Sequence, residues 1–162
     1  MAAASDRDSV LSLITNQQDG LSDLCRIVNR LGENFKQILQ SISSCERLQI
    51  LQITDSETGM TILHIAVGKS NAETVEMILE CLSEEERYIL LSAQASYRYH
   101  QVTPIHYACY NHNSRVLDQM IRLLKEETRY KLLQITIRGG VTPLYLSALR
   151  GHTQAISTIA DS

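Results

Sequence analysis

The hexapeptide Thr103-Pro104-Ile105-His106-Tyr107-Ala108 has a counterpart on either side. Thr61-Ile62-Leu63-His64-Ile65-Ala66 precedes it, and Thr142-Pro143-Leu144-Tyr145-Leu146-Ser147-Ala148 follows. The starting threonines stand 42 and 39 residues apart. Self-similarity at such a period means stacked supersecondary units that touch only their neighbours, not one closed globular core.

The units share more than their opening. Fourteen and seventeen residues after each threonine come Val75 and Ile78, Leu117 and Met120, and Ile156 and Ile159. With Leu79 and Leu82 the first set has the i, i+3, i+4, i+7 spacing of one apolar helix stripe. Phe35, Ile38, Leu39 and Ile42 repeat that stripe upstream, so a degenerate unit without the Thr-Pro start begins near Leu21. A third block, Arg87-Tyr88-Ile89-Leu90-Leu91, matches Arg129-Tyr130-Lys131-Leu132-Leu133 and, more loosely, Arg47-Leu48-Gln49-Ile50-Leu51. Thr61 to Arg87 and Thr103 to Arg129 are both 26 residues, whereas the intervals from each arginine to the next threonine are 14, 16 and 13. Fixed spacing marks packed elements, and variable spacing marks a surface connection.

Local chemistry places the ends of these elements. Thr103 and Thr142 stand before the chain's two prolines, so each hydroxyl is expected to cap a helix whose first residue needs no amide donor. Ala66, Ala108 and Ala148 are expected at a tight helix contact. Ser43 with Glu46 and Ser83 with Glu86 have the form of a capping box and predict a short third helix. Asp55, Gly59 and Gly139-Gly140 mark turns before the next threonine.

On these residues the chain resembles the ankyrin-repeat family, from about Leu21 to Ser162, with Gly151-His152 in the final copy adding to the match. The resemblance implies an all-α solenoid of stacked antiparallel helix pairs with projecting turns or hairpins. It also implies a protein-binding role. Units of the family run to about 33 residues; here each carries a surplus of roughly six to nine, coinciding with the Arg-Tyr-x-Leu-Leu block. Tyr145 stands in place of the motif histidine, and Ser70 and His112 stand where glycine is usual. Residues 1–20 are expected to be an N-terminal extension or cap, frayed over Met1–Asp8, with a helix over Ser9–Gln17. Residues 21–162 are expected to be the array, with units starting near 21, 61, 103 and 142 and the last one truncated. Leu144, Leu146, Ile156 and Ile159 are then expected to keep apolar surface wet, which invites self-association through an uncapped C-terminal end.

Charge argues against two partner classes. The net charge is −3 with both signs interspersed and no basic stripe, which speaks against nucleic acid. No apolar run approaches the roughly 20 residues needed to span a bilayer. Cys25, Cys45, Cys81 and Cys109 are scattered without a CxxC spacing, which reads as reduced thiols in the cytoplasm.

Candidate chemistry is sparse. His106-x-x-Cys109-x-x-His112 has partial zinc-ligand spacing, but His106 shares its repeat slot with His64 and a closed site needs four ligands. Nothing forms a nucleophile elbow, triad signature or phosphate loop, so the expectation is no enzyme, no cofactor and no metal. Arg47, Arg87 and Arg129 recur at one slot and read as a structural ladder; recognition of an anion is the alternative. Carried over from the resemblance, the partner-contacting positions are Met60 and Lys69, then Tyr99, His100, Val102, Tyr110 and Asn111, then Arg138, Val141, Leu149 and Arg150, with Tyr97 beside them in the longest loop. A regulatory array within a larger channel, kinase or effector is the alternative role, and an enzyme built on the scaffold is a third.

Overall fold

The computed structural model describes residues 4–15, 20–97 and 100–161, and of Tyr97 and His100 the backbone alone. Helix α1 (Ala4–Thr15) leads into unit one, formed by α2 (Gly20–Leu31), α3 (Glu33–Ser41) and α4 (Ser44–Leu51). Unit two is α5 (Ile62–Gly68), α6 (Ala72–Glu80) and α7 (Glu84–Ser92), followed by strands β1 (Ala95–Tyr97) and β2 (His100–Val102). Unit three is α8 (Pro104–Tyr110), α9 (Ser114–Arg122) and α10 (Glu126–Leu133), and unit four is α11 (Pro143–Leu149) and α12 (Thr153–Ala160). First helices pack on first helices (α5 on α8, α8 on α11) and second on second (α6 on α9, α9 on α12). This is the all-α solenoid of stacked pairs with a short third helix. One apolar core runs lengthwise through it, from Val10 to Ile159.

The caps form as their chemistry requires. Thr103 Oγ1 accepts from the His106 amide and Thr142 Oγ1 from that of Tyr145, with proline in the first turn of each helix. Both capping boxes close, Ser43 with Glu46 and Ser83 with Glu86. Each such cap is worth about 1 kcal/mol, so the third helices start where the sequence places them. Their arginines then reach outward. Arg47 donates to the Cys81 carbonyl at 2.6 Å, and Arg87 to those of Leu79 at 2.8 Å and Leu123 at 2.6 Å. Cys81 and Leu123 cap the second helix of the following unit, so each arginine satisfies a helix-end carbonyl that otherwise has no helical partner. Two rungs of the ladder, Arg47 and Arg87, are stitches between units.

Several details differ from expectation. Helix α1 begins at Ala4, so Ser5–Asp8 are helical, and Val10 and Leu13 pack it onto unit one. In unit four the small slot is filled by Ser147, which is buried, while Ala148 is exposed. The reason is register: Ser147 lies five residues past its cap threonine, as Ala66 and Ala108 do. Leu146 and Ile159 are buried against unit three, and Leu144 stays exposed. Ser70 and His112 have left-handed backbone, with φ of 55° and 60°, as Gly151 does at 68°. The chain thus keeps the turn geometry at two positions without the residue that adopts it most cheaply.

Candidate protein-binding surface

The turn tips are built by short-range bonds and held by the first helices. In the first tip Asp55 Oδ1 accepts from the Thr58 hydroxyl at 2.6 Å, the Thr58 amide at 2.7 Å and the Glu57 amide at 3.2 Å. Those bonds, the Thr58 hydroxyl's first, hold its carboxyl below the usual carboxylate range. The second tip is the hairpin, with Ala95 opposite Val102 and Ser96 opposite Gln101. The third closes through a single bridge between Ile137 and Val141, with Gly139 and Gly140 at φ of 90° and 75°. The Ser96 amide donates to the Thr58 carbonyl at 2.6 Å and ties the first tip to the second.

Two buried histidines fix tips to helices. His64 Nε2 meets the Val102 carbonyl at 3.0 Å, and His106 Nε2 meets that of Val141 at 3.1 Å. A carbonyl only accepts, so Nε2 carries the proton in both. Nδ1 is then the acceptor, taking the Thr61 amide at 3.2 Å in the first case and facing the Thr103 hydroxyl at 2.8 Å in the second. Burial pushes both imidazoles down to about 4, with the carbonyl bonds pulling weakly the other way. Both are neutral pins at ordinary pH.

The proposed contact residues divide into three groups. Met60 and Val102 are buried with Ala95 and Ile137 in a small core beneath the tips, and Val141 packs against it half-buried. Met60 and Val102 are therefore props of the surface and are not accessible to a partner, because alternation along the tips turns their side chains inward. Tyr99 lies outside the described residues, and the side chains of Tyr97 and His100 do too. The remainder reach solvent: Lys69, Arg138, Leu149 and Arg150 are exposed, and Tyr110 and Asn111 are half-buried. The Arg150 guanidinium sits 4.4 Å above the Tyr110 ring, a cation–π contact across the junction of units three and four. Leu149 beside it is 68% exposed.

Tyr107 belongs to this surface although the positional rule passes over it. Its ring lies against unit two so closely that a Cβ on Gly68 would come within 2.9 Å of Cε1. Its spacing of three residues from Tyr110 was the available signal, since i, i+3 residues share a helix face. The metal-like triplet is not brought together. His106 commits both ring nitrogens as above, and Cys109 is buried with its thiol pushed up to about 11 by that burial. His112 faces His152, with ring centroids 3.0 Å apart. Among the described residues no group of three or more His, Cys, Asp or Glu side chains is placed to hold a metal, and no helix is long and apolar enough to cross a membrane.

A lengthwise core and projecting tips pinned to the first helices define a stacked repeat solenoid. The family model of ankyrin repeats matches in three copies over residues 1–126. The chain belongs to the ankyrin-repeat family. The matched span includes α1, which the motifs alone leave outside the array, and stops before unit four, which nonetheless repeats the Thr-Pro cap. Among curated proteins none matches the sequence. A solved chain of similar fold comes from the crystal structure of the yeast ribosomal protein Rps3 in complex with its chaperone Yar1. It is 19% identical with a TM-score of 0.57, over 97% of this chain and 92% of that one. At that identity the likeness speaks for the fold alone.

Proposed function

We propose that this chain is a non-enzymatic module that docks a protein segment along its concave face, with Tyr110, Leu149 and Arg150 as the anchor. The supporting observation is their arrangement: an aromatic ring, a guanidinium stacked on it and an exposed leucine, all carried at the ends of two packed helices. Tyrosine and arginine are enriched at interface hot spots, and side chains held by a rigid scaffold lose little entropy on docking. Lys69 and Arg138 are exposed on neighbouring units, which favours a partner segment with acidic residues flanking an apolar one. Ankyrin repeats are in general protein-interaction modules, and neither the family match nor the structural likeness points to an enzyme. Four free thiols suit a reducing compartment such as the cytoplasm.

The test is affinity capture with the wild-type chain, with Tyr110→Ala/Leu149→Asp, and with Tyr88→Ala on the third-helix side. Proteins retained by wild type and Tyr88→Ala, and reduced at least tenfold by the double variant, are expected. Equal recovery on all three would overturn the concave anchor.

A further inference from the structure

The turns between first and second helices repeat one contact across the unit junctions, and its chemistry changes along the chain. Between units two and three, the Ser70 hydroxyl donates to Asn113 Oδ1 at 2.6 Å, and the Asn113 side-chain amide donates to the Val67 carbonyl near the end of α5. Ser70, Asn113 and Val67 stand nine, ten and six residues after their cap threonines, and the same slots at the junction of units three and four hold His112, His152 and Cys109. A hydroxyl–amide pair that cannot titrate is thus replaced by two imidazoles, in contact with ring centroids 3.0 Å apart. His152 is 6% exposed, and neither of its ring nitrogens completes a hydrogen bond. The Cys109 carbonyl, standing where Val67 stands, exerts only a weak pull on it.

The surroundings oppose a proton on His152. Burial lowers its pKa first, then His112, then Arg150. No carboxylate lines the cleft of about 190 Å³ beside the pair. Of the elements packed on α12, α11 carries no charged side chain, and α9 carries Arg115 together with Asp118 and Arg122, which pair at 2.9 Å. Helix α8, packed on α11, contributes Tyr110 and Cys109 at this end and His106 at the other. A proton on His152 is therefore a buried charge without a counter-ion, and a second on His112 sets a like charge against it.

We infer that the His112–His152 pair makes the junction of units three and four an acid-released joint, from which α11 and α12 come away while units one to three stay assembled. The sign follows from the burial of His152: the joint is at full strength above the ordinary imidazole value near 6.5 and weakens as pH falls below it. The Ser70–Asn113 joint has no group that titrates there, so the preceding junction holds. Local release of one unit is open to a stacked array, whose units touch only their neighbours. Leu149 and Arg150 ride on the released unit, but the joint stands or falls without the concave anchor.

Cys109 reports on the joint, because it is 0% exposed on α8, against which α11 packs. The full chain and His112→Ser/His152→Asn, which installs the pair of the preceding junction, are pulsed with 4,4′-dithiodipyridine at pH 7 and pH 5.5, and labelling is read peptide by peptide. Cys81, buried in unit two, is the internal control, and His106 is kept in both chains so that its own acid response cancels in their ratio. At pH 5.5 Cys109 of the wild type is expected to label at least fivefold faster than that of the variant, with Cys81 equal in both and the two chains alike at pH 7. Equal Cys109 rates at pH 5.5, or a ratio that is the same at both pH values, overturns the inference. Parallel acceleration of Cys81 and Cys109 means that the whole array opens, and it refutes a local joint. Should the double variant not fold, His112→Ser alone is expected to raise the midpoint at which the His152 ring protons titrate by NMR; an unmoved midpoint refutes the coupled pair.

Discussion

The slot three residues after each cap threonine holds His64 in unit two, His106 in unit three and Tyr145 in unit four. The two histidines are 0% exposed, while Tyr145 is 57% exposed. The residue before each behaves alike: Leu63 and Ile105 are buried and Leu144 is exposed. Local backbone is the same in all three, with a threonine N-cap and a seven-residue helix. What differs is the neighbour. A following tip offers a carbonyl to His64 and His106, and no described residue plays that part for position 145. Burial in a stacked array therefore belongs to the junction more than to the residue.

Acid should break this comparison most severely. The folded pKa of His64 and His106 lies at about 4, below the unfolded value near 6.5. The unfolded chain thus binds more protons between those values, so stability is full above pH 6.5 and drains as pH falls toward 4. Together the two pins should account for a loss of about 5 kcal/mol by pH 4, read from urea midpoints at pH 7, 5.5 and 4.5. A flat profile across that window would show that the imidazoles are not buried neutral pins.

Truncation separates the slots directly. His106→Ala leaves the Val141 carbonyl and a cavity behind, and should cost about 3 kcal/mol. Tyr145→Ala in the same slot of unit four should stay within about 0.5 kcal/mol. Equal losses in urea unfolding would mean that the last helix is buried in solution after all. The smallest effect concerns the left-handed residues that end the first helices. His112→Gly should gain about 1 kcal/mol and Gly151→Ala should lose about as much. Removing His112 also takes away the ring beside His152, whose pKa is lowered by burial first and by that ring second. If His112→Gly destabilises, the contact between the two rings outweighs the backbone strain.

Much of the array was legible because its signals are local. Capping requires a hydroxyl or carboxylate at a fixed distance from a free amide, and Thr103, Thr142, Ser43 and Ser83 announce it without reference to the rest of the chain. The apolar stripes likewise fix which face of α3, α6, α9 and α12 turns inward. The candidate surface was less legible. Lys69, Leu149 and Arg150, carried over from the family resemblance, are exposed, but Met60 and Val102 form a buried prop, since no spacing rule reports which side of a tip faces a second small core. Tyr107 was missed because its place depends on the absence of a Cβ on Gly68, one unit away.

The sequence by itself determined the unit, its caps, its helix faces and its stacking direction, because each follows from contacts within about forty residues. Only the tertiary structure decided which copies of a repeated residue are buried and which carbonyls Arg47 and Arg87 reach. The physical reason is that an identical side chain has a different free energy according to whether the adjacent unit removes it from water and supplies the missing half of its hydrogen bond.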